Sequence, residues 1–340
     1  MSVWAEWTVC ATMILISGSL LSRYADMAAE KTGMGRTWIG IILLATMTSL
    51  PEMATGLSAV TAARAPDLAA GDVLGSCVFN LMLIGLIDLF HRPGPILSRV
   101  DQGHILSAGF GVLLIGMVAW GLLIPFDRFA GWRLWFGPTS LLILLLYAVA
   151  VGRVFQFEKD RMARDAKGGK GPLLQYQDIP AAHLCRGIAL HGAVIVAAGI
   201  WLPFIGGRIS TITGWGDTFV GNLLVAAATS LPEIVTSFAA MRLGAPDLAI
   251  ANLFGSNLFN MAILALDDLA FVEGALLSHV STFHLFSAVA ALMMTGIAIT
   301  GLIYRTQRKR WGPVSWDGAA LIILYLLNLL FVFSSGNSSP

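Results

Sequence analysis

Apolar residues occupy this chain in long stretches that polar residues interrupt only briefly. A run of about 20 mostly apolar residues is long enough to cross a bilayer as a helix, and the pattern predicts ten such spans. They cover residues 4–22, 38–62, 68–90, 104–124, 134–154, 182–203, 217–241, 247–271, 283–304 and 315–333. One longer polar segment, residues 155–181, predicts a solvated linker between two halves of five spans each. We therefore predict an all-α polytopic membrane protein.

Composition supports this fold class. Of the 340 residues 56% are hydrophobic and only 12% are charged, whereas about 25% charged is typical of soluble domains. The net charge of +1 gives no indication of a nucleic-acid partner. No Lys or Arg precedes Arg23 and no small-residue cleavage site follows the first apolar run, so we expect a membrane helix there and not a removable signal peptide. The three cysteines and six histidines have neither disulfide nor metal-ligand spacing.

The distribution of Lys and Arg predicts the orientation of the spans. With the N-terminus outside, 17 of the 21 basic residues fall in inside loops, as expected because cytoplasmic loops are enriched in Lys and Arg. The remaining four are Arg64, Arg128, Arg133 and Arg208. We predict a multi-pass protein of the cell (inner or plasma) membrane, with both termini extracytoplasmic and the linker cytoplasmic.

An internal repeat organises the chain. Residues 48–80 read TSLPEMATGLSAVTAARAPDLAAGDVLGSCVFN, and residues 229–260 read TSLPEIVTSFAAMRLGAPDLAIANLFGSNLFN, with one residue fewer near Met241. Because five spans per half is an odd number, the second half must enter the membrane from the opposite side. The sequence therefore predicts two inverted five-helix repeats, residues 1–154 and 182–340, an arrangement typical of secondary transporters, which bind ions near the membrane midplane.

Each repeat opens with the pentapeptide TSLPE inside an apolar run. The prolines, Pro51 and Pro232, lack an N–H and free the carbonyls of Met47 and Ala228. An intramembrane carboxylate costs roughly 2.5 kcal/mol or more unless it is partnered, which favours a functional role. Oxygen ligands without sulfur or imidazole suit hard cations such as Na⁺ or Ca²⁺. The candidate metal ligands are Thr48, Ser49, Glu52, Thr229, Ser230 and Glu233. The alternative is a proline kink whose hydroxyls satisfy the backbone, which does not require two glutamates.

A second group of polar residues predicts the opposite wall of this site. They are spaced i, i+4, i+8 and so share one helical face: Asp72, Ser76 and Asn80 in the first repeat, and Asn252, Ser256 and Asn260 in the second. The alternative is that these residues only pack the helices through interhelical hydrogen bonds. This alternative applies more to Asp72 and Asn252 than to the other four.

Other acidic residues have weaker patterns. Pro66-Asp67 and Pro246-Asp247 are typical of helix starts, with proline in the first position and an acid in the first turn. We interpret them as structural. Asp88, Asp267 and Asp268 fall toward the ends of spans, and we expect them at the membrane interface.

With two copies of S-L-P-E, each followed by G-S-x-x-F-N, the chain resembles the cation/calcium exchanger superfamily, and among its members the compact prokaryotic sodium/calcium exchanger-like antiporters. The resemblance implies an inverted five-plus-five helix fold, alternating-access exchange of Ca²⁺ against Na⁺, and spans 1 and 6 as a mobile pair. It implies that Glu52 and Glu233 bind both ions, with the hydroxyls or carbonyls of the Thr-Ser pairs and with Ser76, Asn80, Ser256 and Asn260.

The chain departs from this family pattern at two positions that concern charge. Many relatives have aspartate where Asn260 stands, and Asp72 stands where asparagine is more common. The centre therefore holds two carboxylates, which balance one Ca²⁺, and Asp72 could supply a third from one turn away.

The sequence thus predicts a secondary antiporter, without cofactors, whose substrates are Ca²⁺ and Na⁺. The nearest alternative is an exchanger coupled to H⁺ or another cation, since a carboxyl removed from water holds a proton more readily. An intramembrane enzyme or a channel is a distant alternative, because the chain has no recognisable nucleophile, histidine partner or cofactor motif.

Overall fold

The computed structural model describes residues 2–31, 44–124, 135–167, 180–306, 308–309 and 312–336. The first half contains α1 (Val3–Lys31), α2 (Ala45–Thr48), α3 (Leu50–Ser58), α4 (Pro66–Phe90), α5 (His104–Leu123) and α6 (Pro138–Lys167). The second half contains α7 (Ala181–Thr213), α8 (Asp217–Val220), α9 (Ala226–Thr229), α10 (Leu231–Arg242), α11 (Pro246–Ala270), α12 (His284–Tyr304) and α13 (Trp316–Gly336). Single π-helical turns, Ala59–Ala63 and Gly221–Val225, follow α3 and join α8 to α9.

In the described part of the chain, eight helices are long and apolar enough to cross a membrane. The pair Asp217–Thr229 and Leu231–Arg242, bent by 45°, forms a ninth candidate span. Of the predicted span 38–62, residues 38–43 lie outside the described residues, and the remainder forms α2, α3 and a π turn. The prediction of a polytopic all-α membrane protein is confirmed.

The predicted linker 155–181 begins later than expected. Helix α6 continues through Lys167, so the first part of this polar segment is helical, and residues 168–179 lie outside the described ones. Polar residues with good helix propensity, such as Lys159 and Arg161, extend a helix beyond the apolar run that begins it.

Helices α4 and α11 form the centre of the molecule. Their apolar stretches are 72% and 89% buried, compared with 28% for α1. Helices α12 and α13 pack against α4, and α5 and α6 pack against α11. Helices α1 and α7 pack against each other, and they contact α10 and α3 respectively. Both polar faces predicted from the repeats therefore lie on the two most deeply buried helices.

Aspartates at the starts of α4 and α11 join the two halves. Oδ1 of Asp67 accepts the backbone N–H of Ser281 at 2.7 Å and lies 2.8 Å from Nε2 of His284. In the same way, Oδ1 of Asp247 accepts the N–H of Asp101 at 2.6 Å and lies 3.1 Å from Nε2 of His104. The start of α4 therefore meets the start of α12, and the start of α11 meets the start of α5, in agreement with a structural role for both aspartates.

Near the far ends of the same helices, buried carboxylates bind N–H groups from other segments of the chain. Asp88 accepts the N–H groups of Ile96 at 2.8 Å and Ser315 at 2.7 Å. Asp268 accepts those of Leu276 at 2.5 Å and Gly137 at 2.7 Å. Both acids lie near a helix end, as the sequence indicates, and both are buried, with 1% of their surface exposed. Loop N–H groups need acceptors where water is excluded.

A closed polar ring ties the π turn after α8 to two helices. Asn222 donates from Nδ2 to Ser287 Oγ at 2.6 Å, Ser287 donates to Asn328 Oδ1 at 3.2 Å, and Asn328 donates from Nδ2 to Asn222 Oδ1 at 3.1 Å. All three side chains are buried. The ring holds Gly221–Val225 against α12 and α13.

Candidate ion-binding site

Both copies of the pentapeptide break a helix at the serine. Ser49 has φ −88° and ψ 12°, and Ser230 has φ −83° and ψ 9°. In each copy one helix ends at the threonine and the next begins at the leucine, with proline in its first turn. Proline is tolerated in the first turn of a helix but disrupts its interior, which explains why each helix breaks just before the proline.

Glu52 is fully buried and accepts hydrogen bonds from hydroxyl groups of both repeats. Its Oε1 accepts from Ser230 Oγ at 3.1 Å and from Ser76 Oγ at 3.5 Å, and the Oγ atoms of Ser230 and Ser76 lie 3.0 Å apart. One serine lies at the break of the other half, and the other faces Glu52 from α4.

Glu233 repeats this arrangement. Its Oε1 accepts from Ser49 Oγ and from Ser256 Oγ, each at 3.2 Å, and its side chain is fully buried. Each glutamate is therefore bonded by the serine of the opposite pentapeptide. The two predicted half-sites form one site.

The threonines of the pentapeptides contact the polar residues that lie one turn before Ser76 and Ser256 on the facing helices. Thr229 donates to Oδ1 of Asp72 at 2.8 Å, and Thr48 donates to Oδ1 of Asn252 at 3.4 Å. Asn252 donates in turn to Thr236 Oγ1 at 3.2 Å. The structure thus brings Asp72 and Asn252 to the edge of the site, each with one oxygen engaged by a threonine.

Two asparagines complete the opposite wall, and their amide nitrogens point away from it. Asn80 donates from Nδ2 to Asn257 Oδ1 at 3.0 Å, and Asn260 donates from Nδ2 to Cys77 Sγ at 3.8 Å. Asn257 donates to the backbone carbonyl of Cys77 at 3.2 Å. Sequence reasoning did not select Asn257; its signal was its alignment with Cys77 in the repeat.

The site contains several oxygens that lack any donor. Buried side-chain oxygens without a hydrogen-bond partner include Glu52 Oε2, Glu233 Oε2, Asn80 Oδ1, Asn260 Oδ1 and Asp72 Oδ2. Every one is an acceptor, and buried polar atoms are rarely left unpaired without a reason. Because such acceptors are the ligands of hard cations, the arrangement can hold a desolvated metal cation between the two glutamates.

Glu52 and Glu233 are the two glutamates of this set of oxygens. Within the described residues, no three or more His, Cys, Asp or Glu side chains are grouped closely enough to hold a metal ion. The site therefore combines two carboxylates with neutral oxygens. Asp72 stands beside this set, with one oxygen bonded to Thr229 and the other unpaired.

A cavity of about 540 Å³ opens between the ends of α4 and α10. Its lining residues are Ile87, Phe90, His91, Arg92, Phe238, Met241 and Arg242. It begins one to two turns beyond Glu233 on α10, whose next turn carries the buried, unpaired hydroxyl of Ser237. Between the ends of α11 and α3, the region that corresponds to it in the repeat, Asp267 lies in contact distance of Gly56.

Helices α1 and α7 lie on the two breaks. A Cβ atom at Gly18 of α1 would be 2.3 Å from Cγ of Pro232. A Cβ atom at Gly199 of α7 would be 2.6 Å from Cβ of Ala54 and 3.2 Å from the carbonyl oxygen of Pro51. Each of these helices therefore approaches the broken helix of the opposite half closely enough to exclude a side chain.

Comparison with known proteins identifies the family of the chain. The family model described as sodium/calcium exchanger protein matches residues 3–156 and 185–334. The chain is 26% identical to the sodium/calcium exchanger MaX1 of Methanosarcina acetivorans, over 94% of this chain and 96% of that one. The fold is similar to that of the sodium-calcium exchanger NCX_Mj soaked with Na⁺ and Ca²⁺ (TM-score 0.64, 18% identity, 97% and 98% of the two chains). It is also similar to that of the H⁺/Ca²⁺ exchanger CAX (TM-score 0.70, 13% identity, 97% and 82%). Since the family model covers most of its length, the chain belongs to the sodium/calcium exchanger protein family.

Proposed function

We propose that this protein is a secondary active antiporter that exchanges Ca²⁺ for Na⁺ across the cell membrane by alternating access. The observation that carries the proposal is the pair of buried glutamates, each with one unpaired oxygen, opposite the unpaired amide oxygens of Asn80 and Asn260. The ions are substrates of this site, and Thr48, Ser49, Thr229, Ser230, Ser76 and Ser256 supply its neutral ligands.

Competition for the same two carboxylates couples the ions. Glu52 and Glu233 together balance the charge of one Ca²⁺, and in its absence they remain buried without a basic partner among their described hydrogen-bond contacts. Moving an unbalanced charge through a membrane is costly, so the empty site crosses slowly. Binding of Na⁺ displaces Ca²⁺ and restores the charge balance that permits crossing.

The helix contacts support ten spans in two inverted halves, residues 1–154 and 182–340. In such an arrangement α4 and α12 start on the extracytoplasmic side, whereas α5 and α11 start on the cytoplasmic side. The contacts of Asp67 with His284 and of Asp247 with His104 pair the helix starts in this manner. Both termini are then extracytoplasmic.

The unequal ends of the site support alternating access. The cavity between α4 and α10 opens toward the side that we assign to the cytoplasm, while Asp267 closes on Gly56 at the corresponding place on the other side. A shift of α1 and α7 across the two prolines would exchange the open and closed ends.

Uptake of radioactive Ca²⁺ by proteoliposomes tests the proposal. Vesicles loaded with Na⁺ and diluted into Na⁺-free medium should take up Ca²⁺, and vesicles loaded with K⁺ or choline should not. Glu52→Gln and Glu233→Gln should abolish uptake, because each removes half of the charge that balances Ca²⁺. Glu273→Gln, at an exposed loop position, is the matched control and should retain it. Full uptake by either site variant overturns the assignment of the site.

The second candidate is coupling to H⁺. The similarity in fold to the H⁺/Ca²⁺ exchanger CAX favours it, and carboxyls removed from water take up protons more readily. Replacing the Na⁺ gradient by an outward H⁺ gradient in the same vesicles separates the two. Uptake driven by the H⁺ gradient and indifferent to Na⁺ identifies a proton-coupled exchanger.

A further inference from the structure

Asp267 of α11 is a buried carboxylate that the proposed site does not use. Its side chain is 0% exposed, and neither oxygen has a hydrogen-bond partner. It points at α3, where a Cβ atom on Gly56 would be 2.3 Å from Oδ2. Asp267 lies toward the end of its span, as the sequence indicates, and the close approach of α3 covers its carboxyl there.

The position of Asp267 connects it to the ion site. It lies seven residues, or two turns, beyond Asn260 on α11, and residues seven apart share a helical face. Gly56 lies four residues, or one turn, beyond Glu52 on α3. Both helices therefore lead from the site toward the same end, where the carboxylate and the glycine meet.

The contact between Asp267 and Gly56 has no counterpart in the other repeat. The corresponding residues are Ile87, which lines the open cavity, and Ser237, which is buried next to the lining residue Phe238. An aliphatic side chain thus suffices at this helix position for packing. The glycine provides the room that the carboxylate occupies, which indicates a role for the acid beyond holding the helices together.

The described charged groups that act on Asp267 are acidic. Asp72 on α4 and Asp268 on α11 act on it electrostatically, and Glu52 lies one turn from the glycine on α3. No basic side chain is among the described groups that act on it. Burying an isolated charge costs far more than neutralising it, so the closed carboxyl carries a bound proton or cation.

We propose that Asp267 is an outer cation-binding station of the transport path. When the extracytoplasmic side opens, α3 moves from α11, water reaches the carboxyl, and an incoming metal cation replaces its proton, which leaves to the external medium. The cation then passes two turns along α11 to Asn260 and the glutamates, and a proton from the external medium returns to the Asp267 carboxylate before the side closes. This proposal rests on the proposed function, because it assigns Asp267 to the extracytoplasmic side of an exchanger.

Transport measured separately from the two sides tests the station. In vesicles of known orientation, Asp267→Asn should raise the external Ca²⁺ concentration for half-maximal transport about tenfold, as expected for the loss of one nearby charge in a partly buried place. The internal half-saturating concentration should stay unchanged. Lowering the external pH should compete with Ca²⁺ in the unmodified protein, and this competition should be weaker in the variant, in which only the carboxyls of the central site remain to take up protons. Ile87→Val, at the corresponding position of the other repeat, is the control and should change neither side selectively.

Two results overturn the proposal: external half-saturation that is unchanged in Asp267→Asn, or an equal change on both sides. If this variant does not fold, Gly56→Ala decides, because its methyl group displaces the carboxyl and should also raise the external value alone. Absence of Ca²⁺ transport by the unmodified protein contradicts the proposed function instead. If the unmodified protein transports Ca²⁺ and Asp267→Asn has the same effect on half-saturation from both sides, only the outer station is contradicted.

Discussion

Gly18 of α1 lies directly on the ring of Pro232, the proline that marks the helix break of the opposite half. Gly199 of α7 lies close to the other broken helix, at Ala54 and the carbonyl oxygen of Pro51. Because α1 and α7 also pack against each other, one pair of helices covers both breaks. The absence of a side chain at each glycine sets how closely the pair can lie on the ion site.

This contact predicts that small additions at the two glycines slow the conformational change. Overpacking of this kind costs about 1–3 kcal/mol, so we expect Gly18→Ala and Gly199→Ala to lower the maximal transport rate about tenfold, measured as initial Ca²⁺ uptake. Equilibrium Ca²⁺ binding to the detergent-purified protein should change little. Gly207→Ala in α7, where a Cβ atom meets nothing within 4 Å, should behave like the unmodified protein. A loss of binding equal to the loss of rate would contradict this role.

A third carboxylate at the centre should change the Na⁺ requirement. In Asn260→Asp the unpaired amide oxygen becomes a charged one, while the hydrogen bond to Cys77 Sγ is lost. With three charges to balance, we expect tighter Na⁺ binding and a steeper dependence of Ca²⁺ release on Na⁺ concentration. The Hill coefficient for Na⁺, measured at constant membrane potential, checks this. An unchanged coefficient with unimpaired transport would show that charge at position 260 does not set Na⁺ stoichiometry.

The carboxylate of Asp67 should contribute to stability and not to ion binding. Asp67→Ala leaves the N–H of Ser281 and the imidazole of His284 without their acceptor. A buried donor left unpaired costs about 1–3 kcal/mol, so thermal unfolding in detergent should occur at a lower temperature. The exposed Glu273→Ala should have no such effect.

A double substitution checks that this loss arises from one interaction. The effect of Asp67→Ala combined with His284→Ala should be smaller than the sum of the single effects, because both remove the same contact. Additive losses would show that the two residues act independently.

Chemical labelling of Cys185 should reveal the orientation of the chain. Cys185 is exposed near the start of α7, whereas Cys10 and Cys77 are buried. A membrane-impermeant maleimide should therefore label inside-out vesicles and leave right-side-out vesicles unlabelled until detergent is added. Cys185→Ser is the control and should remain unlabelled in both. Labelling of intact right-side-out vesicles would reverse the predicted orientation.

The sequence predicted the helices and the shared faces of the polar residues because both depend on local patterns. Apolar runs locate the spans, and the duplicated TSLPE places a break and a glutamate in each half. Spacing along α4 and α11 places Ser76, Asn80, Ser256 and Asn260 on single faces, and the structure directs these faces to the glutamates.

Pairings between distant helices could not be predicted in this way. Nothing in the surroundings of Asp267 in the sequence indicates that Gly56 covers it. The same holds for Asn257, which fixes the Asn80 amide from another half of the chain. Such contacts depend on how the halves are oriented, and neither composition nor periodicity describes that orientation.

The ring formed by Asn222, Ser287 and Asn328 has a consequence for where ions can stop. Each member gives one hydrogen to the next, and each oxygen of the ring receives one. Because every oxygen of the ring is neutral and already accepts a hydrogen bond, the trio offers a cation weaker ligands than the unpaired oxygens around Glu52 and Glu233. If one of the three hydrogen bonds were missing, the unpaired oxygen would be a cation ligand away from the proposed transport path. The path of an ion through the interior of this protein thus depends less on where polar atoms lie than on which of them lack a hydrogen-bond partner.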